Sequence, residues 1–245
     1  MRLSESVSDR KYGFYEIYVK RLLDIICSLA AIIVFSWLYI VVAILVRVKL
    51  GTPVLFKQPR PGKIDFKTGK EKIFSLIKFR TMNNRRDEKG ELLPDEQRLN
   101  SYGKWLRSTS LDEIPSLLCI FIGDLSIVGP RPQLVRDMVF MSDEVRRRHL
   151  VRPGLTGLAQ INGRNNITWE EKFSYDLQYL DEGISFRRDL RIILKTIIKV
   201  VKKSDVVREG TASDIDYGDW LLKEGKITEG EYIEKQELAK NLSLI

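Results

Sequence analysis

The stretch IICSLAAIIVFSWLYIVVAILV, Ile25 to Val46, runs 22 residues without a charge. That is the length at which an apolar segment belongs to a membrane rather than to a soluble core. It is long for the apolar part of a cleaved leader, and no small-x-small site follows it. Lys20 and Arg21 precede the run; Arg47 and Lys49 follow it. Cationic flanks mark the cytoplasmic side, so both ends ask for the same compartment. A re-entrant helix-break-helix satisfies both ends, and a straight span satisfies one. A break at membrane depth needs polar groups or protein contacts for the freed backbone. Ser36, near the middle, carries a hydroxyl suited to a freed carbonyl, but Trp37 follows it where a bend commonly has proline. The straight span therefore stays open at this level.

The run organises the rest of the chain: an N-terminal extension over 1–19, the membrane helix over 20–50, a water-soluble domain over 51–204 and an acidic extension over 205–245. At 245 residues there is room for one sizeable domain or two small ones. Lys and Arg number 41 against 33 Asp and Glu, a net +8, which calls for an anionic partner such as acidic lipid, a phosphorylated substrate or nucleic acid. Nucleic acid fits worst, because the basic residues interleave with membrane-type apolar stripes and no recognition motif is present. Cys27 and Cys119 supply neither a disulfide framework nor metal-ligand spacing. A single histidine, His149, excludes a mechanism built on several histidines and argues against the common zinc sites. Chemistry must fall to carboxylates, Lys, Arg, Tyr or Ser.

Past Gly51, GTPVLFKQPRPG reads as a short strand bounded by turn residues and KIFSLIKFRTM as an extended or mixed segment. NNRRDEKGELLPDEQRL is charged and loop-like. Helical patterns resume at Tyr102–Arg107 and Ile114–Ile122. GDLSIVGPRP and VRPGLTGLAQINGRNN, rich in Gly and Pro, read as loops. Their backbone donors and arginines (Arg131, Arg152, Arg164) suit phosphate. Thr168 to Lys203 is helical again. In it FRRDLRIILKTIIKVVKK sets an apolar stripe against Arg and Lys, as in a helix lying over anionic lipid or a basic helix packed by its stripe. The tail from Ser204, with Asp214, Asp216 and Asp219, looks like a separate helical or partly disordered extension.

LRSTSLDEIPSLL, Leu106 to Leu118, sets Asp112 beside Glu113. Ser110-x-x-Glu113 has the capping-box spacing, in which the two side chains satisfy each other's backbone donors. Pro115 sits badly with a helix capped at Ser110, since it falls just past the first turn. Helix cap and paired carboxylates both remain readings of these residues.

KRLLDIICSLAAIIVFS, KFRTM, RSTSLDEIPSLL, GDLSIVGPRP, VRPGLTGLAQINGRN and FSYDLQYL, in this order over about residues 18 to 205, resemble the bacterial sugar transferases. These are the monotopic polyprenol-phosphate phosphoglycosyltransferases that initiate glycan assembly. The resemblance implies a mainly α, membrane-associated protein with a small β element. It also implies a re-entrant membrane helix and a catalytic domain on the cytoplasmic face of the bacterial inner membrane, with interfacial amphipathic helices. Asp112 would be the nucleophile and Glu113 its partner, both of them ligands of Mg²⁺. A UDP-sugar would donate its phosphosugar to undecaprenyl phosphate through an aspartyl intermediate, releasing UMP. By motif position Lys78, Arg80, Arg107 and Arg131 are expected at phosphate or nucleotide, and Asp176 at the substrate or as a structural partner of arginine. The family usually breaks its membrane helix at Ser-Pro, where this chain has Ser36-Trp37. A membrane-tethered scaffold with a lipid-binding basic face accounts for the charge and the anchor but not for the ordered loop motifs.

Overall fold

The structure is a computed structural model and describes residues 12–163, 167–202 and 215–243. A π-helical turn, Tyr15–Val19, leads into α1 (Lys20–Val34), which bends at Phe35 into α2 (Ser36–Leu50). The bend is 63°, and neither arm is by itself long and apolar enough to cross a membrane. The backbone turns with few lost bonds: Phe35 N–H reaches the carbonyls of Ala31 and Ile33, and Phe35 C=O accepts from Tyr39 N–H at 2.9 Å. The expected hydroxyl rescue is not made, because Ser36 Oγ has no hydrogen bond among the described residues. The bifurcated Phe35 N–H takes up that need.

The two arms present a continuous apolar face to the outside. Leu22, Ile26, Leu29 and Ile33 on α1 and Trp37, Ile40, Ile44 and Val48 on α2 are all exposed, at the spacing of one helix stripe. Their inner faces dock on the rest of the chain. Asp24, buried on α1, accepts the Ile127 N–H at 3.0 Å, while Val42, Val46 and Leu50 of α2 bury against Phe79 and Leu106.

β1 (Leu55–Asp65) and β2 (Lys70–Phe79) form an antiparallel hairpin with Leu55 opposite Phe79 and a bulge between Pro61 and Ile64. The short α3 (Asp95–Arg98) and α4 (Ser101–Ser108) follow, then α5 (Ser116–Ile122), β3 (Ser126–Val128), α6 (Val135–Met138), α7 (Asp143–Arg146), a 3₁₀ turn Arg147–Leu150, β4 (Gly154–Thr156) and α8 (Leu158–Asn162). The two segments expected as loops thus contain a strand pair: β3 and β4 run parallel, Ser126 beside Gly154 and Val128 beside Thr156. Three-residue strands carry no periodicity to read, and here only long-range backbone pairing defines them.

The helical run from Thr168 is two helices, α9 (Trp169–Asp181) and α10 (Phe186–Lys202). Thr168 and Glu171 cap the first reciprocally, and Gly183 at φ 84° turns the chain between them. Asp189 of α10 is buried and accepts from Tyr15 Oη at 2.9 Å, Lys20 Nζ at 2.5 Å and Tyr179 Oη at 2.7 Å, so the start of the bent pair is tied to the start of α10. The outer face of α10 exposes Leu190, Leu194, Ile197, Ile198 and Val201.

The described part of the tail is not separate. α11 (Tyr217–Lys223) and α12 (Glu229–Ser243) pack Leu221 and Ala239 into one core with Val135, Met138, Val139 and Phe140. Asp214 lies outside the described residues.

Candidate active site

The segment after α4 does not cap a helix at Ser110. Ser110 takes a left-handed conformation, φ 55°, with no side-chain cap bond, and Leu111–Glu113 form a single 3₁₀ turn. Of the two readings of these residues the capping box fails, because Glu113 is turned to other partners. The following helix, α5, begins only after Pro115, a position where the missing N–H costs nothing. Ser116 Oγ donates to Ile77 C=O at 2.8 Å, which fixes the acidic turn against β2 one residue from Lys78.

Glu113 Oε1 accepts Lys78 Nζ at 2.7 Å and Arg131 Nη2 at 3.0 Å. Its other oxygen, and both oxygens of the buried Asp112, accept no hydrogen bond from the described residues. Burial, then the neighbouring Glu113 charge, pushes the Asp112 carboxyl up to about 6, against the opposing pull of Lys78, Arg107 and Arg131. Burial acts upward on Glu113 too, but Lys78 and Arg131 outweigh it and hold this group well below the usual carboxylate range. Burial lowers Lys78, and Glu113 partly offsets it. One carboxylate is thus firmly ionised and paired, while the other is buried and open. Three cations against two carboxylates leave the cluster one positive charge, the sign that suits a diphosphate.

Each cation is held by the local fold. Arg107 Nε donates to Thr81 Oγ1 at 3.0 Å, across the contact of α4 with the end of β2. That contact is close because Gly103 lies there: a Cβ would stand 1.9 Å from Thr81 O. Arg131 sits in a loop where its own carbonyl and those of both neighbours are taken. Gly154 N–H reaches Pro130 C=O at 2.9 Å, Arg148 Nη2 reaches Arg131 C=O at 2.6 Å, and Arg60 Nη1 reaches Pro132 C=O at 2.9 Å. A Cβ on Gly154 would fall 2.1 Å from Gly129 N, so only glycine admits this approach.

The structure brings together Lys78, Arg107, Arg131, Asp112 and Glu113 among the residues expected from sequence, and takes two elsewhere. Arg80 is buried, with its guanidinium on the carbonyls of Thr52, at 2.6 Å, and Leu50, where it closes the C-terminal end of α2. Asp176 is paired with arginine: its Oδ2 receives Arg148 Nη2 at 2.6 Å in a fully buried pair, while its Oδ1 has no partner among the described residues. Arg152 donates to Gly123 C=O at the end of α5, and Arg164 lies outside the described residues. Sequence reasoning missed Arg60 and Arg148, which support the Arg131 loop. Arg60 had a signal, since Pro59-Arg60-Pro61 repeats the Pro130-Arg131-Pro132 pattern. Arg148, inside a run of three arginines, had none.

Among the described residues no group of three or more His, Cys, Asp or Glu could hold a metal. The three open oxygens of Asp112 and Glu113 nevertheless fit Mg²⁺, a hard cation that takes one or two carboxylates and completes its shell with water and substrate phosphates.

The chain matches the family described as bacterial sugar transferase over residues 15–203. It is 46% identical over 183 residues to an uncharacterized sugar transferase, EpsL, of Bacillus subtilis, covering 75% of this chain and 87% of that one. It is 38% identical over 190 residues to the UDP-glucose:undecaprenyl-phosphate glucose-1-phosphate transferase of Klebsiella pneumoniae, covering 74% of this chain and 39% of that one. It is 30% identical over 222 residues to the undecaprenyl-phosphate galactose phosphotransferase of Salmonella typhimurium, covering 84% of this chain and 44% of that one. It therefore spans less than half the length of the latter two.

Proposed function

The chain belongs to the bacterial sugar transferase family, and from that membership we propose that it moves a phosphosugar from a UDP-sugar to a membrane polyprenol phosphate, undecaprenyl phosphate being the acceptor. The observation that carries this reading is the unequal pair: Asp112, buried and with its carboxylate unbonded among the described residues, beside Glu113, which Lys78 and Arg131 hold ionised.

In the proposed reaction an Asp112 oxygen attacks the β-phosphorus of the UDP-sugar. The bond from that phosphorus to the oxygen bridging the two phosphates breaks, and UMP leaves with the electron pair. The phosphosugar remains on Asp112 as an acyl phosphate. A phosphate oxygen of the polyprenol phosphate then attacks the same phosphorus and releases the Asp112 carboxylate, leaving polyprenyl-diphosphate-sugar. Splitting the transfer in this way predicts ping-pong kinetics. Attack by a carboxylate on a diphosphate needs charge neutralisation, which Lys78, Arg107 and Arg131 provide in part. Asp112 and Glu113 would hold Mg²⁺, which supplies the remainder as a Lewis acid. An Asp112 carboxyl near pH 6 is mostly ionised at neutral pH, and bound cation would ionise it further.

The bent pair supports a seat in the cytoplasmic leaflet of the inner membrane. Each 15-residue arm is about 22 Å long. With both arms equally inclined, a 63° bend carries the tip about 12 Å deep, within one half of a hydrocarbon core about 30 Å thick. The apolar face of α10, flanked by Arg187, Arg191 and Lys195, would lie on anionic headgroups beside it, so that the acceptor's phosphate meets Asp112 at the surface.

The test is release of UMP by detergent-solubilised protein from a panel of UDP-sugars, with Mg²⁺ and polyprenol phosphate. Release that stops on chelation and resumes with Mg²⁺ supports the assignment. A protein that binds anionic vesicles yet turns over no nucleotide sugar would be a scaffold instead.

A further inference from the structure

Residues 215–243 lie beyond the family match, which ends at 203, yet they pack on the element that follows the Arg131 loop. α6 begins three residues after Pro132. Asp137, buried in α6, accepts Leu134 N–H through Oδ2 at 3.0 Å and Tyr217 N–H through Oδ1 at 2.9 Å. One carboxylate therefore ends the loop and begins α11. Arg136 pairs with Asp216, and Trp169 Nε1 donates to Ile215 C=O at 3.2 Å. Tyr217, Trp220, Leu221 and Tyr232 close an apolar core over Val135, Met138, Val139 and Phe140, with the Tyr232 and Phe140 rings stacked at 5.8 Å.

We propose that this C-terminal extension is a clamp on the Arg131 loop, and that Asp137 is the positioning residue through which it acts. The proposal rests on the assigned transfer reaction for its functional half. Arg148 and Arg60 hold the loop from its inner side through the Arg131 and Pro132 carbonyls. The extension holds α6, the loop's outgoing end. A guanidinium that must meet both Glu113 and a diphosphate tolerates little drift, and small displacements at such a group cost catalysis steeply.

Gly218 offers a substitution distant from the dyad. A Cβ there would stand 2.5 Å from the Phe140 ring, so Gly218→Ala in the full chain pushes α11 off α6. Hydrogen exchange and UMP release would be measured on the same preparations. The expected result is faster exchange at residues 215–224 and also at Leu134 to Met138, with kcat/KM about tenfold lower. Adding Phe140→Leu makes room for the new methyl and should restore both, a recovery that general destabilisation does not produce. Asp137→Asn, which keeps one acceptor oxygen and loses the other, should loosen the same amides. Faster exchange confined to 215–224, with Leu134 to Met138 and kcat/KM unchanged, would make the extension a passenger. Unchanged kcat/KM in both Gly218→Ala and Asp137→Asn would overturn the clamp as well. Absence of UMP release from the parent chain would sink the assigned reaction, while the exchange data still decide the contact.

Discussion

Lys78 on β2 and Glu113 in the 3₁₀ turn meet at 2.7 Å across 35 residues of sequence, with both side chains about four-fifths covered, at 18% and 19% exposed. Lys78→Met leaves Glu113 with Arg131 alone and should cost about 1–3 kcal/mol near pH 7. A carboxyl held below its unfolded value stabilises the fold above that value and loses this as pH falls through its folded pKa. The variant's Glu113 must protonate at higher pH than the parent's. Its deficit in thermal melts should therefore be constant near neutrality and shrink toward about pH 3. A deficit independent of pH would assign Lys78 a packing role.

Asp112 has the opposite sign. Its folded value of about 6 lies above the ordinary 3.8, so ionisation opposes folding. The penalty is absent below about pH 4, grows as pH rises to about 6, and is then constant. Asp112→Asn should abolish turnover and also raise stability at pH 7, by on the order of 3 kcal/mol. Activity above about a tenth of the parent's, roughly 1.4 kcal/mol of barrier, would remove Asp112 from the nucleophile's role.

Asp189 gathers Tyr15, Lys20 and Tyr179 on its two oxygens. Asp189→Asn strands a covered lysine and should cost about 3 kcal/mol. Limited proteolysis near residues 12–20 should accelerate more than cleavage in the β1–β2 hairpin. Equal acceleration at both places would mean global destabilisation rather than release of this junction.

At the bend, the Ser36 hydroxyl makes no hydrogen bond among the described residues, so Ser36→Ala should leave topology unchanged. Trp37 lies in the first turn of α2, exposed, where an N–H has no intrahelical partner to lose. Trp37→Pro should keep or sharpen the bend, and with it the proposed re-entrant form. An engineered N-terminal cysteine, with Cys27 and Cys119 replaced, can be labelled by an impermeant reagent in intact cells. Labelling of the Trp37→Pro chain would show that the bend does not depend on this backbone.

Composition made the apolar run and the long amphipathic α10 legible, since both are strong local patterns. The acidic pair was visible, but its backbone was not. Ser110-x-x-Glu113 is a sound local signal, overridden because Lys78, 35 residues earlier, and Arg131, 18 residues later, claim the glutamate. The β3–β4 pair was hidden for the same reason, its stability residing in partners about 28 residues apart. Arg80 and Asp176 show what motif position leaves unsaid: each stands in a motif, and only the fold shows that one guanidinium bonds a helix end and the other side chain a buried guanidinium.

Seated as proposed, the bent pair enlarges one monolayer and leaves the other untouched. Such an insertion acts as a wedge, and its free energy follows the lateral pressure profile of that monolayer. Lipids that relax packing near the headgroups should admit the tip more deeply, and those that crowd it should lift it. Because Asp24 and the Asp189 junction join the wedge rigidly to the domain, the height of Asp112 above the lipid phosphates would shift with it. Lipid shape, as well as lipid charge, would then set how readily a buried-chain acceptor and a water-borne donor meet at the same carboxylate.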